Sequence, residues 1–189
     1  MDTQKQYLTG KFLVAMPSMP DDRFSKAVIL ICGHDEHGAI GVIINKPLPT
    51  LTFNDLLDPL KIDSKGQDFS KIKLHFGGPV EMGRGCVIHS KEYMCTGSVS
   101  INDDVALTAT SAIIRDVING DGPKNIFLAL GYAGWQAGQL DQEIITNGWL
   151  LSDFSPHLLF STREADKWEQ ALAIAGIRPE TLSLESGTA

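Results

Sequence analysis

The sequence predicts an α+β domain, and three observations carry that reading. Short apolar runs of strand length recur along the chain, at Lys11–Met16, Lys26–Cys32, Ala39–Asn45, Ile72–Phe76 and Asn125–Leu130. Separate segments place apolar residues at helical spacing. The two kinds of segment do not alternate as strict βαβ units, which argues against a doubly wound parallel sheet.

Taken in order, Lys11–Met16 reads as a strand, and Pro17–Asp22 is a loop because two prolines and two aspartates break a ladder. Lys26–Cys32 is continuously apolar, as expected of a strand buried on both faces. Gly33–Gly38 is expected as a polar turn into the strand Ala39–Asn45, where Gly41 marks a bulge or a close neighbour. The prolines of Lys46-Pro47-Leu48-Pro49 exclude a central strand or a helix interior. Thr52 then caps a short helix, Phe53–Leu57, with Asp55 at the capping-box position and Pro59 closing it. Asp63–Ser70 is a polar loop.

After the strand Ile72–Phe76, Gly77-Gly78-Pro79-Val80 is expected as a tight turn and Glu81–Gly85 as loop. Cys86–His89 and Val99–Ile101 are short strands. Asn102 or Asp103 is expected to cap an amphipathic helix through Ala106, Ala109, Ile113, Ile114, Val117 and Ile118, ended by Asn119-Gly120. The strand Asn125–Leu130 leads into Gly131-Tyr132-Ala133-Gly134-Trp135, read as a bend. A short helix covers about Gln139–Thr146, Trp149–Asp153 and His157–Phe160 read as strand-like, and the last helix runs Glu164–Ala175 with Gly176 and Pro179 terminating it. The whole forms one domain, with loosely held ends at about residues 1–8 and 183–189.

Composition narrows the function classes. The net charge is −7, which argues against gripping DNA through its phosphates. Lys71 and Lys73 alternate on a strand and share a face, leaving room for a small basic patch. No apolar run approaches the ~18 residues of a membrane span. Three cysteines without a CxxC do not make a disulfide framework, and cytoplasmic residence follows.

The chemistry-bearing patterns are sparse. Cys32-x-His34-x2-His37 pairs thiol and imidazole, which suit zinc, but Asp35 and Glu36 mark a solvated turn and no second ligand cluster follows. Cys32 or Cys86 as nucleophile, with His34 or His89 as base, is the enzymatic alternative, and it requires a thiolate-stabilising neighbour. The chain has no GxSxG, GxGxxG or GxxxxGK[ST], so neither a nucleophile elbow nor a nucleotide cofactor is expected. Asp141 and Glu143 diverge by about 200° on a helix and cannot act as a local pair. The Gly-Tyr-Ala-Gly-Trp run admits two readings, a packed corner or a recess with aromatic walls.

Four segments resemble the YqgE/AlgH family: Lys11–Pro20 with Ala-Met-Pro-Ser-Met, Ile31–Lys46 with Cys-x-His and Gly-x-Ile-Ile-Asn-Lys-Pro, Phe76–Val80 with Gly-Gly-Pro-Val, and Ala129–Glu143 with Leu-Gly-Tyr-Ala-Gly-Trp-x-x-Gly-Gln-Leu-x-x-Glu. The resemblance spans about Gly10 to Leu184. It implies a single α+β domain with a mixed, partly barrel-like sheet flanked by helices, in a cytosolic bacterial protein. It brings no reaction. A regulatory label attaches to one family member, but a basic helix-turn-helix is absent here, so a transcriptional regulator acting on DNA is the third reading. Asp141 stands where the family usually has Glu, and Thr188 where its tail tends to carry His. The functional expectation is a non-enzymatic protein binding a small ligand or a protein partner. Its surface would comprise Tyr132, Gly134, Trp135 and Gln139, joined by Gly77, Gly78, Pro79 and Asn45.

Overall fold

The computed structural model describes residues 7–182. Ten strands and six helices follow in the order β1 (Phe12–Ala15), β2 (Val28–Asp35), β3 (Gly38–Ile43), β4 (Pro47–Thr52), α1 (Phe53–Leu60), β5 (Lys73–Phe76), β6 (Val80–Ser90), β7 (Ser98–Ser100), β8 (Val105–Thr108), α2 (Ser111–Asn119), β9 (Ile126–Gln136), α3 (Gln139–Ile145), β10 (Trp149–Ser152), α4 (Pro156–Phe160), α5 (Lys167–Ile174) and α6 (Pro179–Leu182). A 3₁₀ turn, Asp22–Phe24, sits between β1 and β2. The chain is α+β, with one curled sheet ordered β10-β1-β2-β3-β9-β6-β8-β7; β5 joins it beside β9 and carries β4 at the edge.

Apolar patterning explains the layers. Alternate residues of β2 enter two cores, Val28 and Leu30 one and Ile29 and Ile31 the other. The first core is sealed by α4 and α5 through Leu158, Leu159, Trp168 and Leu172. The second lies inside the curl and is closed by Leu140 of α3. A third core packs α1 and α2 on β5, β6 and β9.

The curl has a measurable consequence. Trp135 on β9 and Trp149 on β10 are four sheet positions apart, a separation of about 19 Å in a flat sheet. Their ring centroids lie 6.1 Å apart, edge to face. Both indole N–H groups donate to Oε2 of Glu143, at 2.9 and 2.8 Å, so one carboxylate of α3 ties the edge strand β10 to β9. Charge-assisted bonds of this kind are about twice as strong as neutral ones.

The glycine-aromatic run read as a bend is instead the second half of β9, an 11-residue strand. Its Gly131 serves a crossing. At Leu128 to Leu130, β9 pairs with β5 in parallel, and with β6 antiparallel on the other side. The chain passes between those partners over β9 through Gly77-Gly78-Pro79. A Cβ at Gly77 would fall 2.2 Å from the Gly131 oxygen, and one at Gly78 2.1 Å from the Tyr132 carbonyl carbon. Gly78 and Gly131 also hold φ values of +151° and +72°, which glycine alone adopts without strain.

Other expectations are corrected by local chemistry. The Gly33–Gly38 turn shrinks to Glu36 and His37, because β2 continues past a bulge to Asp35. Glu81–Gly85 belongs to β6, as an exposed stretch that leaves its register with β9 between Val80 and Gly85. Asn102 does not cap a helix. Its Oδ1 accepts from the Asp104 and Val105 N–H groups and forms the turn of the β7–β8 hairpin, and Thr110 precedes α2 instead. His157–Phe160 is helical, since the Ser155 hydroxyl accepts from Leu158 N–H and Pro156 opens the turn. Pro179 opens α6. Leu8 is buried, with its N–H donated to His34 Nδ1, and residues 1–6 of the expected loose end lie outside the described residues. The expected loose tail at 183–189, Thr188 included, lies outside the described residues.

Two substitutions test these constraints. Gly78→Ala should destabilise the fold by about 3 kcal/mol or more, lowering the melting temperature by roughly 6–12 °C or abolishing soluble expression. A melting temperature unchanged within ~2 °C would contradict the crossing. Glu143→Ala strands two indole donors and should cost about 2–4 kcal/mol in urea unfolding, with a red shift of tryptophan emission. Full retention of both stability and emission would show that the carboxylate is idle.

Candidate functional site

The β5 strand, placed beside β9 by the glycine crossing, carries Lys73 and His75 toward the connection between α4 and α5. Two hollows meet there. The larger, about 470 Å³, lies against β4, the start of α1 and the 68–70 loop, with Leu48, Phe53, Phe69 and Leu74 among its walls. The smaller, about 270 Å³, is bounded by Lys71, Lys73, His75, Arg163 and Lys167. Ile72, Lys73 and Glu164 line both, so the hollows share a wall; the larger is the apolar arm of this cleft region and the smaller its polar arm.

The polar arm is densely wired. Glu164 Oε1 lies 3.3 Å from His75 Nε2, and its Oε2 lies 3.5 Å from Lys73 Nζ. His75 Nδ1 lies 3.1 Å from the Leu128 carbonyl oxygen, and its ring stacks on Phe127 at 4.1 Å. Both oxygens facing His75 accept only, and a neutral imidazole has one proton to give. Burial nevertheless pushes the His75 pKa below its usual value, against the pull of Leu128 and Glu164. The Glu164 carboxyl is itself lowered: burial works to raise it, but its own backbone N–H, His75 and the charge of Lys73 outweigh that.

Lys167 is the least expected group. Its side chain is nearly sealed, at 2 % exposure, with Nζ donating to the Ile44 and Leu159 carbonyl oxygens at 2.9 Å each. The nitrogen also sits 5.0 Å over the Phe127 ring. Burial pushes its pKa down to about 8, with Glu164 opposing and Lys73 assisting.

The residues expected to form a surface are placed differently from one another. Trp135 is buried at 8 % exposure, Tyr132 is half-buried, and Gly134 and Gln139 are exposed. Gln139 accepts from Gln136 N–H and donates to Glu143 Oε1. Gly77 and Gly78 are buried in the crossing, with Pro79 half-buried after them. Asn45 accepts from Val28 N–H and donates to the Lys26 oxygen, extending the strand pairing by side chain. A shallow hollow does adjoin Trp135, lined by His34, Gly38, Ala39 and Ile40.

Neither thiol proposed as nucleophile is prepared for that role. Burial pushes Cys86 up to about 12, Arg84 notwithstanding. Burial also pushes Cys32 well up, and the nearby Cys86 adds to it. His34 spends Nδ1 on Leu8 N–H, with Nε2 3.8 Å from Asp141. His89 is bound through Nε2 to the Thr108 hydroxyl. Among the described residues no group of three or more His, Cys, Asp and Glu side chains is arranged to hold a metal ion.

His75, Glu164 and Lys167 escaped the sequence reading. The signal for Lys167 was present, because it stands with Trp168, Ala171 and Leu172 on the buried stripe of α5. An ammonium on such a stripe must find acceptors.

A family model described as AlgH-like matches residues 12–180. A UPF0301 protein of Paracoccus denitrificans is 47% identical over 189 residues, covering 98% of this chain and 99% of its own. One from Bradyrhizobium is 45% identical, covering 97% and 88%. The solution structure of the AlgH protein from Pseudomonas aeruginosa superposes with TM-score 0.80 at 32% identity and full coverage of both chains. A crystal structure of a Corynebacterium diphtheriae protein, at 23% identity and TM-score 0.72, covers all of this chain and 95% of its own and shares the fold.

Lys167 yields a test of the wiring. Its folded pKa lies below the unfolded value of 10.5, so between about pH 8 and 10.5 the unfolded state holds the extra proton and stability rises with pH. The stability difference between the protein and its Lys167→Met variant, from urea unfolding, should therefore shift in favour of the native residue from pH 7.5 to 9.5. The slope should approach about 1.4 kcal/mol per pH unit. A flat difference would place the ammonium in water.

Proposed function

Since this chain belongs to the AlgH-like family, we propose that it is a non-enzymatic binding protein whose small ligand occupies the cleft between β4–β5 and the α4–α5 connection. One observation carries the reading. An apolar hollow of about 470 Å³ shares Ile72, Lys73 and Glu164 with a polar neighbour, a size and composition suited to a small molecule held by few oriented groups. The raised thiols argue against a cysteine enzyme. The acidic balance of the chain argues against direct DNA contact, so any regulatory role would pass through the ligand or a protein partner. Three free cysteines support a cytoplasmic setting. No helix among the described residues is long and apolar enough to cross a membrane.

The hollow beside Trp135 favours a second reading, in which the Tyr132, Trp135 and Gln139 face takes the ligand. A thermal-shift screen of metabolites followed by amide chemical-shift mapping separates the two. A ligand at 100 times its dissociation constant stabilises by about 2.7 kcal/mol, or roughly 5–11 °C for a chain this long. Shifts at Lys73, His75, Glu164 and Lys167 support the cleft. Shifts confined to Ala39, His34 and Trp135 move the site to the second face, and turnover of a hit overturns the non-enzymatic reading.

A further inference from the structure

We propose that the cleft selects an amphipathic monoanion, a carboxylate whose apolar tail lies along Leu48, Phe53 and Phe69 and whose head meets Lys71, Lys73 and Arg163. The inference rests on the cleft being the binding site and goes on to name its ligand class. The two arms differ in chemistry across a shared wall, so a ligand reaching over Lys73 and Glu164 into both needs an apolar end and a polar end. The sign of the polar end follows from charge. In a chain of net charge −7, the polar arm gathers Lys71, Lys73, Arg163 and Lys167 against one carboxylate, Glu164. A cationic head would face that surplus unpaired, and a neutral head would leave it unused.

The local pairings leave donors for such a head. Lys73 contacts Glu164 at 3.5 Å, too long for a strong bond, and keeps its remaining N–H groups. Arg163 is joined to Asp166 through Nε and Nη2, which leaves further N–H donors of its fork. Lys167 is already committed to two carbonyl oxygens, so it contributes charge and not contact. Two carboxylates also touch the cleft, Glu164 in both arms and Asp68 in the apolar one. They penalise a second negative charge on the ligand, and this favours a carboxylate over a phosphate dianion.

The test titrates the protein with sodium decanoate, decanol, decyltrimethylammonium and decyl phosphate, each below its aggregation concentration, followed by amide chemical shifts. Decanoate should bind at least tenfold more tightly than the other three, with shifts at Lys73, His75 and Glu164. The Lys71→Gln/Lys73→Gln double variant should lose at least tenfold for decanoate while its amide spectrum remains that of the folded protein. Decanol binding the cleft as well as decanoate overturns the anionic head and leaves the cleft standing as the site. Tighter decyl phosphate overturns the choice of carboxylate. Decanoate shifts centred on Trp135 and His34 overturn the cleft itself, and no binding by any probe overturns the ligand class.

Discussion

The fold depends on a place where two backbones cross with no side chains between them. Gly77 and Gly78 pass over Gly131 and Tyr132, and that passage moves the chain from one flank of β9 to the other. Everything downstream inherits the result. β5 is held parallel to β9 while β6 returns antiparallel, so β4 and β5 project as a small wing beyond the main sheet. The wing and the α4–α5 connection enclose the cleft, and His75 reaches Glu164 only because β5 is seated there. The binding hypothesis thus begins with an absence of Cβ atoms.

The curl of the sheet is secured by different means. Hydrophobic packing alone is non-directional and would tolerate a range of closures. The two indoles meeting on Glu143 are directional, and they also fix where α3 lies. Lys167 performs a comparable task on the opposite face, joining the end of β3 to the end of α4 through two carbonyl oxygens. Directional polar anchors therefore appear on both sides of a sheet whose bulk is apolar.

Much of the fold was legible in the sequence, and the failures have physical causes. The unbroken run Ala27–Ile31 correctly signalled a strand between two cores, because burial on both faces removes alternation. Gly131 and Gly134 misled, since glycine marks turns and close approaches alike and the partner glycines lie some fifty residues away in sequence. Ala106 and Ala109 fitted a helical period by chance, and Val105 with Thr108 fits a strand equally well. The cleft was largely illegible. Lys73 and His75 on β5 lie far along the chain from Glu164 and Lys167, and only the alternation of Lys71 and Lys73 hinted at a basic patch. Asn45 looked like a recognition residue because an exposed amide and an amide used as a strand substitute are identical in sequence.

The contact between Leu8 and His34 reaches beyond the local strand end. His34 can accept that N–H only through an unshared electron pair on Nδ1, so its own hydrogen must reside on Nε2, toward Asp141. Leu8, just ahead of β1, is thereby fastened by a tautomer. A side chain without an acceptor at that place would strand a main-chain donor beside the apolar neighbours that bury Leu8, so the seat of the chain ahead of β1 is decided by one lone pair on the neighbouring strand.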